Sequence, residues 1–227
     1  MKLLRNSIGA AVITTVILAL VAFVFGGAFK TSAAERSSMD TVSYLPIPAG
    51  AYNLDPAHTV IGFGVKHLEI ALVEGRFKDF KGTINFDDKD VTKSTVEFTA
   101  KIDSIDTGVT PRNEHLKTAD FFDAAKYPEM TFKSTRVEKK GKGYVLNGDL
   151  TIKGVTKPVS LPFTITGAVK DPWGGTRFGV EAATTINRRD FGITYGNALP
   201  IGGFDVANEV AIKLHLEAVK SEPKAGK

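Results

Sequence analysis

The stretch VAIKLHLEA, residues 210–218, alternates apolar and polar side chains from Ile212 onward. Val210 and Ile212 fall on one side of an extended chain, and Lys213 and His215 fall on the other. Successive side chains of a β-strand point to opposite faces, so this period of two indicates a strand with one buried and one solvated face. A chain built from such strands is predicted to be all-β.

The same alternation recurs over most of the chain from residue 61 onward. Its further apolar positions are Ile61, Phe63, Val65; Val73, Gly75, Phe77; Phe80, Gly82, Ile84, Phe86; Val96, Phe98, Ala100, Ile102; Met130, Phe132; Tyr144, Leu146, Leu150, Ile152; Val159, Leu161, Phe163, Ile165; and Phe178, Val180, Ala182, Thr184, Ile186. The parity breaks between Phe77 and Phe80, which predicts a β-bulge there.

These segments amount to about eight strands, and the connections between them are short, polar and rich in glycine, such as FDDKD, KKGKG and DPWGG. Short connections join antiparallel neighbours. The prediction is therefore an eight-stranded antiparallel structure, either a sandwich or a closed barrel. A closed barrel of this size is just wide enough to hold one small ligand.

One stretch interrupts the strands: TPRNEHLKTADFFDAAKYPEM, residues 110–130. Thr110 is predicted to cap a short helix in which Pro111 occupies the first position. A second turn over residues 120–125 is predicted to end before Pro128, because a residue that precedes proline disfavours helix. In an all-β chain, such an insertion with adjacent aromatic residues either covers a cavity or plugs the barrel as core.

Charge and composition exclude some classes of function. The 227-residue chain has a net charge of +4, of which residues 1–33 contribute +3, so the remainder carries +1. A nearly neutral body lacks the positive surface of a nucleic-acid-binding protein, and no nucleic-acid partner is predicted. The chain has no cysteine, which excludes disulfides and a thiol nucleophile.

The N-terminus has the pattern of an export signal. Lys2 and Arg5 precede an uncharged run over residues 8–29, and small residues follow at Ala33 and Ala34. The run is long enough to span a bilayer. Two outcomes are predicted for residues 1–34: a cleaved signal peptide, or an uncleaved anchor helix attached to the inner membrane. Either one places the body in the periplasm or another extracytoplasmic space. Residues 35–50 are predicted as a linker, 51–219 as the barrel domain and 220–227 as a disordered tail.

No stretch of the sequence indicates catalysis. It lacks the HExxH, GxSxG, P-loop and EF-hand patterns. The neighbours Glu114 and His115 make a poor acid–base pair, because adjacent residues on a helix point in different directions. The four histidines have no spacing that demands a metal. No catalytic residue, metal site or cofactor is predicted.

The order of several motifs resembles the YceI-like family of polyisoprenoid-binding proteins. The motifs are LDPAHTVIGFGVKH (54–67), GRFKDFKGTINFD (75–87), IDSIDTG (102–108), RNEHLKTADFFDAAKYPEMTFKST (112–135), GDLTIKGVTKPVSL (148–161) and INRRDFGI (186–193). The resemblance implies an extended, lipocalin-like antiparallel barrel that encloses a long isoprenoid chain. It also implies an exported bacterial protein without established catalysis.

On this basis the function is predicted to be carriage of an isoprenoid lipid, polyprenyl or quinone-type, in a hydrophobic tunnel. Enzymatic action on a lipid and a purely structural protein with a filled core are the alternatives. The inward positions predicted to form the cavity wall are Ile61, Phe63, Val65, Phe77, Phe98, Leu146, Phe163, Phe178 and Ile212. The residues predicted to form the lid and mouth are His58, His67, Arg112, His115, Phe121, Phe122 and Arg188.

Overall fold

The computed structural model describes residues 43–221. Within that range the chain forms strands β1 Gly50–Leu54, β2 Val60–His67, β3 Ala71–Phe77, β4 Phe80–Phe86, β5 Thr95–Lys101, β6 Ile105–Asp106, β7 Glu129–Lys140, β8 Gly143–Ile152, β9 Val155–Lys170, β10 Thr176–Asn187 and β11 Val206–Lys220. One α-helix, α1, covers Thr110–Lys117, and 3-10 turns cover Val91–Lys93, Ile102–Ser104 and Arg188–Phe191.

Eight of these strands form a closed antiparallel ring. The order β1-β4-β5-β7-β8-β9-β10-β11 returns to β1 through pairs such as Leu54 with Ala218. The prediction of an all-β, eight-stranded antiparallel architecture with one short helix is confirmed. Of the two arrangements left open, the chain adopts the barrel, and closure leaves the ring without a free edge.

Strands β2, β3 and β6 extend the wall beyond this ring. β1 and β2 follow one another along the same edge of β11: β1 pairs near Ala218, and β2 pairs from His215 back to Val206. β3 pairs with β2, and the two residues of β6 pair with β3. The barrel wall is therefore taller on this side, where β11 begins, and α1 follows directly on the short strand β6.

Breaks in strand parity or register lie at four places in the described chain. Between Phe77 and Phe80 the chain has an interruption of two residues, Lys78 and Asp79, which separates β3 from β4. Both flanking phenylalanines are buried, so the interruption lets the apolar side chains of β3 and β4 both point inward. The β-bulge predicted here is thus a break between two strands. Register shifts occur instead between Ser134 and Arg136 in β7, opposite Gly179 and Val180 of β10, and between Val206 and Val210 in β11.

A plug of buried side chains fills one end of the ring, which we name the closed end. Tyr52 is fully buried there, and its ring meets that of Phe178 edge-on with centroids 4.8 Å apart. Phe86 also packs against Phe178, with ring centroids 5.6 Å apart, and Ala168 and Ala218 complete the layer. The Tyr52 hydroxyl donates to the carbonyl of Pro48 at 2.7 Å, so its polar end is satisfied.

The described part of the linker runs along this closed end. The backbone N–H of Leu45 donates to the carbonyl of Ala168, and Ile47 packs against the core. Among residues 43–221, no helix is long and apolar enough to cross a membrane. The signal or anchor helix predicted over residues 1–34 lies outside the described residues, and so does the tail from residue 222 onward.

Candidate functional site

The barrel encloses a cavity of about 480 Å³, within the size range of small-molecule sites. Its wall is almost entirely aliphatic and aromatic, with contributions from all eight strands of the ring and from β2 and β3. Polar side chains reach the cavity mainly at the end opposite the plug, which we name the open end; they include Lys66, His67, Thr107, Arg112 and His115. The cavity is therefore apolar along its length and polar at one mouth.

Six of the nine side chains expected in the wall line this cavity: Ile61, Phe63, Val65, Phe77, Phe98 and Ile212. The other three face the barrel interior at other heights. Phe178 belongs to the plug at the closed end. Phe163 stacks on Tyr144 with ring centroids 5.4 Å apart, and Leu146 lies opposite Val137 and Leu161 on neighbouring strands. Alternation indicates which face of a strand is buried, but the tilt of the strands decides how far along the barrel each residue lies.

The structure adds wall residues beyond those nine, and the first group lies at positions that the alternation had already assigned to the apolar face. One group comes from β7, β8 and β9 and includes Met130, Phe132, Leu150, Ile152, Val159 and Leu161. A second group, Phe191, Ile193 and Tyr195, comes from the connection between β10 and β11. The pairing of β9 with β10 ends at Phe163 and Ala182, so the two strands separate between that pair and the open end. Phe191 and Ile193 are buried beside this separation, and the alternating apolar residues of DFGI were the available sequence signal.

The insertion between β6 and β7, residues 107–128, lies across the open end. Arg112, His115 and Leu116 of α1 line the cavity, together with Phe121 and Phe122. Phe121 is buried, and Phe122 meets the ring of Phe77 edge-on at 5.9 Å. The two adjacent aromatic rings therefore both face the cavity.

A cluster of three rings joins the insertion to the β10–β11 connection. The centroid distances are 5.1 Å from His115 to Phe121, 5.0 Å from His115 to Tyr195 and 4.7 Å from Phe121 to Tyr195. Tyr195 is the one member outside the insertion. We call these residues the ring cluster; it is the contact that holds the insertion against the opposite side of the open end.

Polar contacts fix the other side of the insertion. Lys153, in the β8–β9 turn, donates from Nζ to the carbonyl of Ala119 at 2.7 Å. Tyr127 covers the neighbouring Gly154, where an added Cβ would lie 2.5 Å from the ring. Gly154 has a φ of +73°, which glycine adopts without strain. The insertion is thus attached to the barrel wall at both flanks.

The start of α1 is built differently from the predicted cap. Val109 is the N-cap residue and makes no side-chain capping bond, so Thr110 is the first helical residue. Asn113 instead ties the helix to the preceding chain: its Oδ1 accepts from the backbone N–H of Thr107 at 2.9 Å and from its hydroxyl at 2.6 Å. Arg112 donates to the same threonine through Nε and Nη2. Arg112 therefore lines the mouth and also orders the entry to the helix.

Arg188 is buried rather than exposed on a solvated turn. It is only 4% exposed, and its three nitrogens donate to the carbonyls of Ala207, Ile193 and Val206 at 2.9, 2.8 and 2.7 Å. Burial lowers the pKa of this guanidinium, and the nearby Arg189 adds to the effect. Arg188 borders the cavity, and its hydrogen bonds fasten the β10–β11 connection to the start of β11.

His67 and His58, both expected at the mouth, lie at different ends. His67 borders the cavity at the open end. His58 lies outside the cavity, where its Nδ1 is 2.9 Å from Asp55 Oδ2 and 3.8 Å from Glu217 Oε1. The reason is that β2 begins opposite His215, near the closed end. The turn that precedes β2 therefore lies close to Glu217.

Arg177 is the centre of this cluster outside the closed end. Its Nη1 lies 2.6 Å from Asp55 and 2.5 Å from Glu217, and its Nε lies 2.7 Å from Asp171. Hydrogen bonds from His58 and from a backbone N–H, together with Arg177, lower the pKa of Asp55 to about 2. The pKa of His58 is raised in turn, chiefly by its hydrogen bond to Asp55.

Asp55, His58 and Glu217 are close enough to share a metal ion. The guanidinium of Arg177, however, already lies between the two carboxylates and supplies the positive charge that a metal would bring. The cluster is therefore an ion-pair network on the outside of the barrel. It does not face the cavity.

Glu114 and His115 turn to different partners, as their adjacency on a helix suggests. Glu114 Oε1 accepts from Lys117 Nζ at 2.9 Å, and His115 Nε2 lies 2.9 Å from Asp120 Oδ2. The polar side chains of α1 are thus engaged in bonds that order the insertion.

A closed antiparallel barrel around an apolar cavity, with polar side chains gathered at one mouth, defines the class of barrels that bind an apolar ligand. The YceI-like domain family matches residues 52–218, and the chain belongs to this family. The UPF0312 protein plu2095 of Photorhabdus laumondii is 46% identical over 145 residues, which cover 63% of this chain and 76% of that protein.

Solved structures have the same architecture. BcnA of Burkholderia cenocepacia superposes with a TM-score of 0.64 at 28% identity, over 72% of this chain and 98% of that one. A polyisoprenoid-binding domain from Saccharophagus degradans superposes with a TM-score of 0.59, over 77% of this chain and 100% of that domain. The latter is 15% identical, so that likeness concerns the fold.

Proposed function

We propose that this chain is an exported carrier that encloses a long isoprenoid lipid, of polyprenyl or quinone type, in the barrel cavity. The observation that carries the proposal is the apolar cavity itself, which is walled by strands from all sides of the ring and is polar mainly at the open end. The name of the Saccharophagus degradans domain, a relative in fold, supports the choice of ligand class.

Burial of apolar surface alone accounts for the binding of such a ligand. Removing apolar surface from water contributes roughly 25 cal/mol per Å², or about 0.8 kcal/mol for each CH₂ group. A prenyl chain of several units therefore binds without a hydrogen bond along its length. The costs are the lost freedom of the tail and of the side chains that close around it. Polar groups at the mouth orient the end of the ligand that remains near water.

In this proposal the insertion acts as a lid. Phe121 and Phe122 close the open end over the ligand, and the ring cluster holds them in place. Opening requires that the rings of His115 and Phe121 separate from Tyr195 and that Phe122 leaves Phe77, whereas the barrel strands stay paired. A lid of this kind slows exchange with water and leaves the fold intact.

Lipid extraction tests the proposed ligand. Protein purified under mild conditions from a bacterial host is expected to release a prenyl lipid into organic solvent, detected by mass spectrometry. Protein that is repeatedly empty, and that fails to take up added prenyl lipid, would refute the proposal.

Two neighbouring residues provide a matched pair of variants for that experiment. Ile212 lines the cavity, and Lys213 points outward from the same strand. Ile212→Asp places a carboxylate in the apolar wall without a partner and is expected to abolish lipid retention. Lys213→Asp is expected to retain the lipid, and circular dichroism checks that both variants are folded.

Export is proposed from the N-terminal sequence alone. Residues 8–29 would direct the chain across the inner membrane and then be removed or remain as an anchor. N-terminal sequencing of the mature product distinguishes the two fates: a start near Ala34 indicates cleavage, and an intact Met1 in the membrane fraction indicates an anchor. Intact soluble chain in the cytoplasm would contradict both.

A further inference from the structure

A group of large apolar side chains points into solvent around the open end. Ile70 is 84% exposed and Ile201 is 81% exposed. Leu68, Leu72 and Tyr195 are exposed by 38 to 56% in the same two segments of chain. We call these five residues the apolar collar. Single exposed apolar residues are ordinary, whereas a group around one opening needs an explanation.

The apolar collar belongs to two loops that are fastened to each other. Leu68 and Ile70 lie in the turn between β2 and β3, and Ile201 lies in the β10–β11 connection. The backbone N–H of Leu68 donates to the carbonyl of Asp205 at 2.8 Å, and the N–H of Phe204 donates to Glu69 Oε1 at 3.2 Å. The two exposed tips are thus held at the same end of the barrel.

The β2–β3 turn adopts a conformation that its residues do not favour. Leu68 and Glu69 have φ values of +52° and +61°, in the left-handed region where glycine or asparagine is the usual choice. Strained backbone of this kind persists where the surroundings hold it, and it is frequent at functional sites. Here it presents Ile70 to solvent at the tip of the turn.

The apolar collar is continuous with the cavity. His67 and Val73, which flank the β2–β3 turn, border the cavity, and so does Val206 at the start of β11. Tyr195 belongs to both surfaces and contacts Phe121 of the insertion. An apolar molecule that leaves the mouth would pass over the apolar collar before it reached water.

We propose that the apolar collar inserts into the surface of a lipid bilayer, so that the cavity is loaded from and emptied into the membrane directly. The inference rests on the proposed function, because a lipid carrier must meet a lipid phase. A bilayer fits the geometry of this surface: separate protruding tips enter a fluid interface without needing a complementary shape. The bonds that tie the two loops already satisfy the backbone N–H groups of Leu68 and Phe204, which lowers the cost of taking these groups out of water.

The exposed Trp173 provides a matched control. It is 84% exposed, like Ile70, but lies in the β9–β10 turn, at the end of β10 opposite the mouth. Docking through the apolar collar leaves Trp173 in water. The variants for comparison are therefore Ile70→Ser with Ile201→Ser, and Trp173→Ser; all three side chains are too exposed for their loss to affect folding strongly.

The experiment measures transfer of a fluorescent polyprenyl lipid from phosphatidylcholine vesicles into the full chain as purified. The double serine variant is expected to take up the lipid at least about tenfold more slowly, since each isoleucine would otherwise bury apolar area. Trp173→Ser is expected to stay within about twofold of the unchanged protein. All variants share the same N-terminus, so any contribution of residues 8–29 is common to them.

A second arm supplies the same lipid from dilute detergent. If the unchanged protein takes up the lipid from detergent and the double variant takes it up from vesicles at the native rate, the membrane inference is overturned and the carrier function stands. If no lipid enters from either source, the carrier function itself fails.

Two further results would also overturn the inference. A native transfer rate together with a loss of dimer in sedimentation would assign the apolar collar to a contact between copies of the chain. A transfer rate that falls steeply with added salt would assign the contact to charge rather than to apolar insertion.

Discussion

The two ends of this barrel are closed by different means. The closed end is filled by side chains of the strands themselves: Tyr52, Phe86 and Phe178 pack in one layer, and an ion-pair network around Arg177 lies outside it. The open end is covered by an insertion and a long connection, which meet through His115, Phe121 and Tyr195. The closed end is therefore part of the hydrophobic core, whereas the open end is covered by segments that lie outside the strands.

This difference separates stability from exchange. Residues packed between paired strands cannot move without unfolding the sheet, so changes at the closed end should alter the free energy of unfolding. The insertion touches the barrel through a few rings and two flanking contacts. Segments with few buried contacts open locally at a low cost in free energy. Changes there should alter how fast a ligand leaves.

Phe178→Ala is expected to have the largest effect. Its ring is 3% exposed and contacts two other aromatic rings, so truncation leaves a void between strands that cannot collapse. We expect a loss of about 3–5 kcal/mol in the free energy of unfolding, measured by urea denaturation. Native stability in this variant would mean that the layer is not part of the core, and the contrast between the ends would disappear.

Replacing both Phe121 and Phe122 by alanine is expected to leave the sheet intact and release ligand faster. Phe121 is 7% exposed beneath the insertion, and neither residue belongs to a strand. We expect the dissociation rate of a bound prenyl lipid to rise at least about tenfold, since each lost ring removes apolar contact.

Stopped-flow transfer to acceptor vesicles measures this rate, and circular dichroism checks the sheet. His115→Ala should have a smaller effect, because Phe121 and Tyr195 remain in contact. If the double alanine variant released lipid at the native rate and His115→Ala abolished a lipid-modifying activity, the insertion would not be a lid and the protein would be an enzyme.

The ion-pair network at the closed end predicts that the stability of the protein depends on pH. The pKa of Asp55 is lowered from 3.8 to about 2 by His58, a backbone N–H and Arg177. Because the folded pKa is the lower one, the stabilisation is present above about pH 4 and is lost as the pH falls towards 2. Asp55→Asn should therefore be less stable than the unchanged protein at pH 6, and the difference should shrink as the pH is lowered through this window.

Denaturation series at several pH values test this. The pKa of His58 is raised, so its own contribution is present below its unfolded value and is lost as the pH rises through the folded one. A stability difference that stayed constant from pH 6 to pH 2 would show that Asp55 is not held by the network.

Lys153→Met is expected to have the smallest effect. Lys153 Nζ donates to the carbonyl of Ala119 at the flank of the insertion, in an exposed position. Exposed polar contacts of this kind contribute at most about 1 kcal/mol, so the lipid dissociation rate should change by less than about fivefold. An effect as large as that of the double alanine variant would mean that polar contacts, and not the rings, hold the insertion.

The sequence by itself determined the fold class and the inward face of most strands. In VAIKLHLEA the alternation is unambiguous, and Val210, Ile212, Leu214 and Leu216 all border the cavity. The insertion could also be predicted from the sequence, because Pro111 and Pro128 lie at either end of a stretch without alternation. These features depend on the local chain alone, and local geometry repeats every two residues in a strand.

Tertiary structure decided where along the barrel each side chain lies. Leu146, Phe163 and Phe178 have the inward parity of wall residues, yet strand tilt and a register shift place them outside the cavity lining. His58 joins Arg177 and Glu217, residues far from it in the sequence, because β1 and β2 share one edge of β11. Arg188 is buried because the carbonyls of Ile193, Val206 and Ala207 converge on it. Such positions depend on how distant strands register against each other, and no period within a single strand encodes that register.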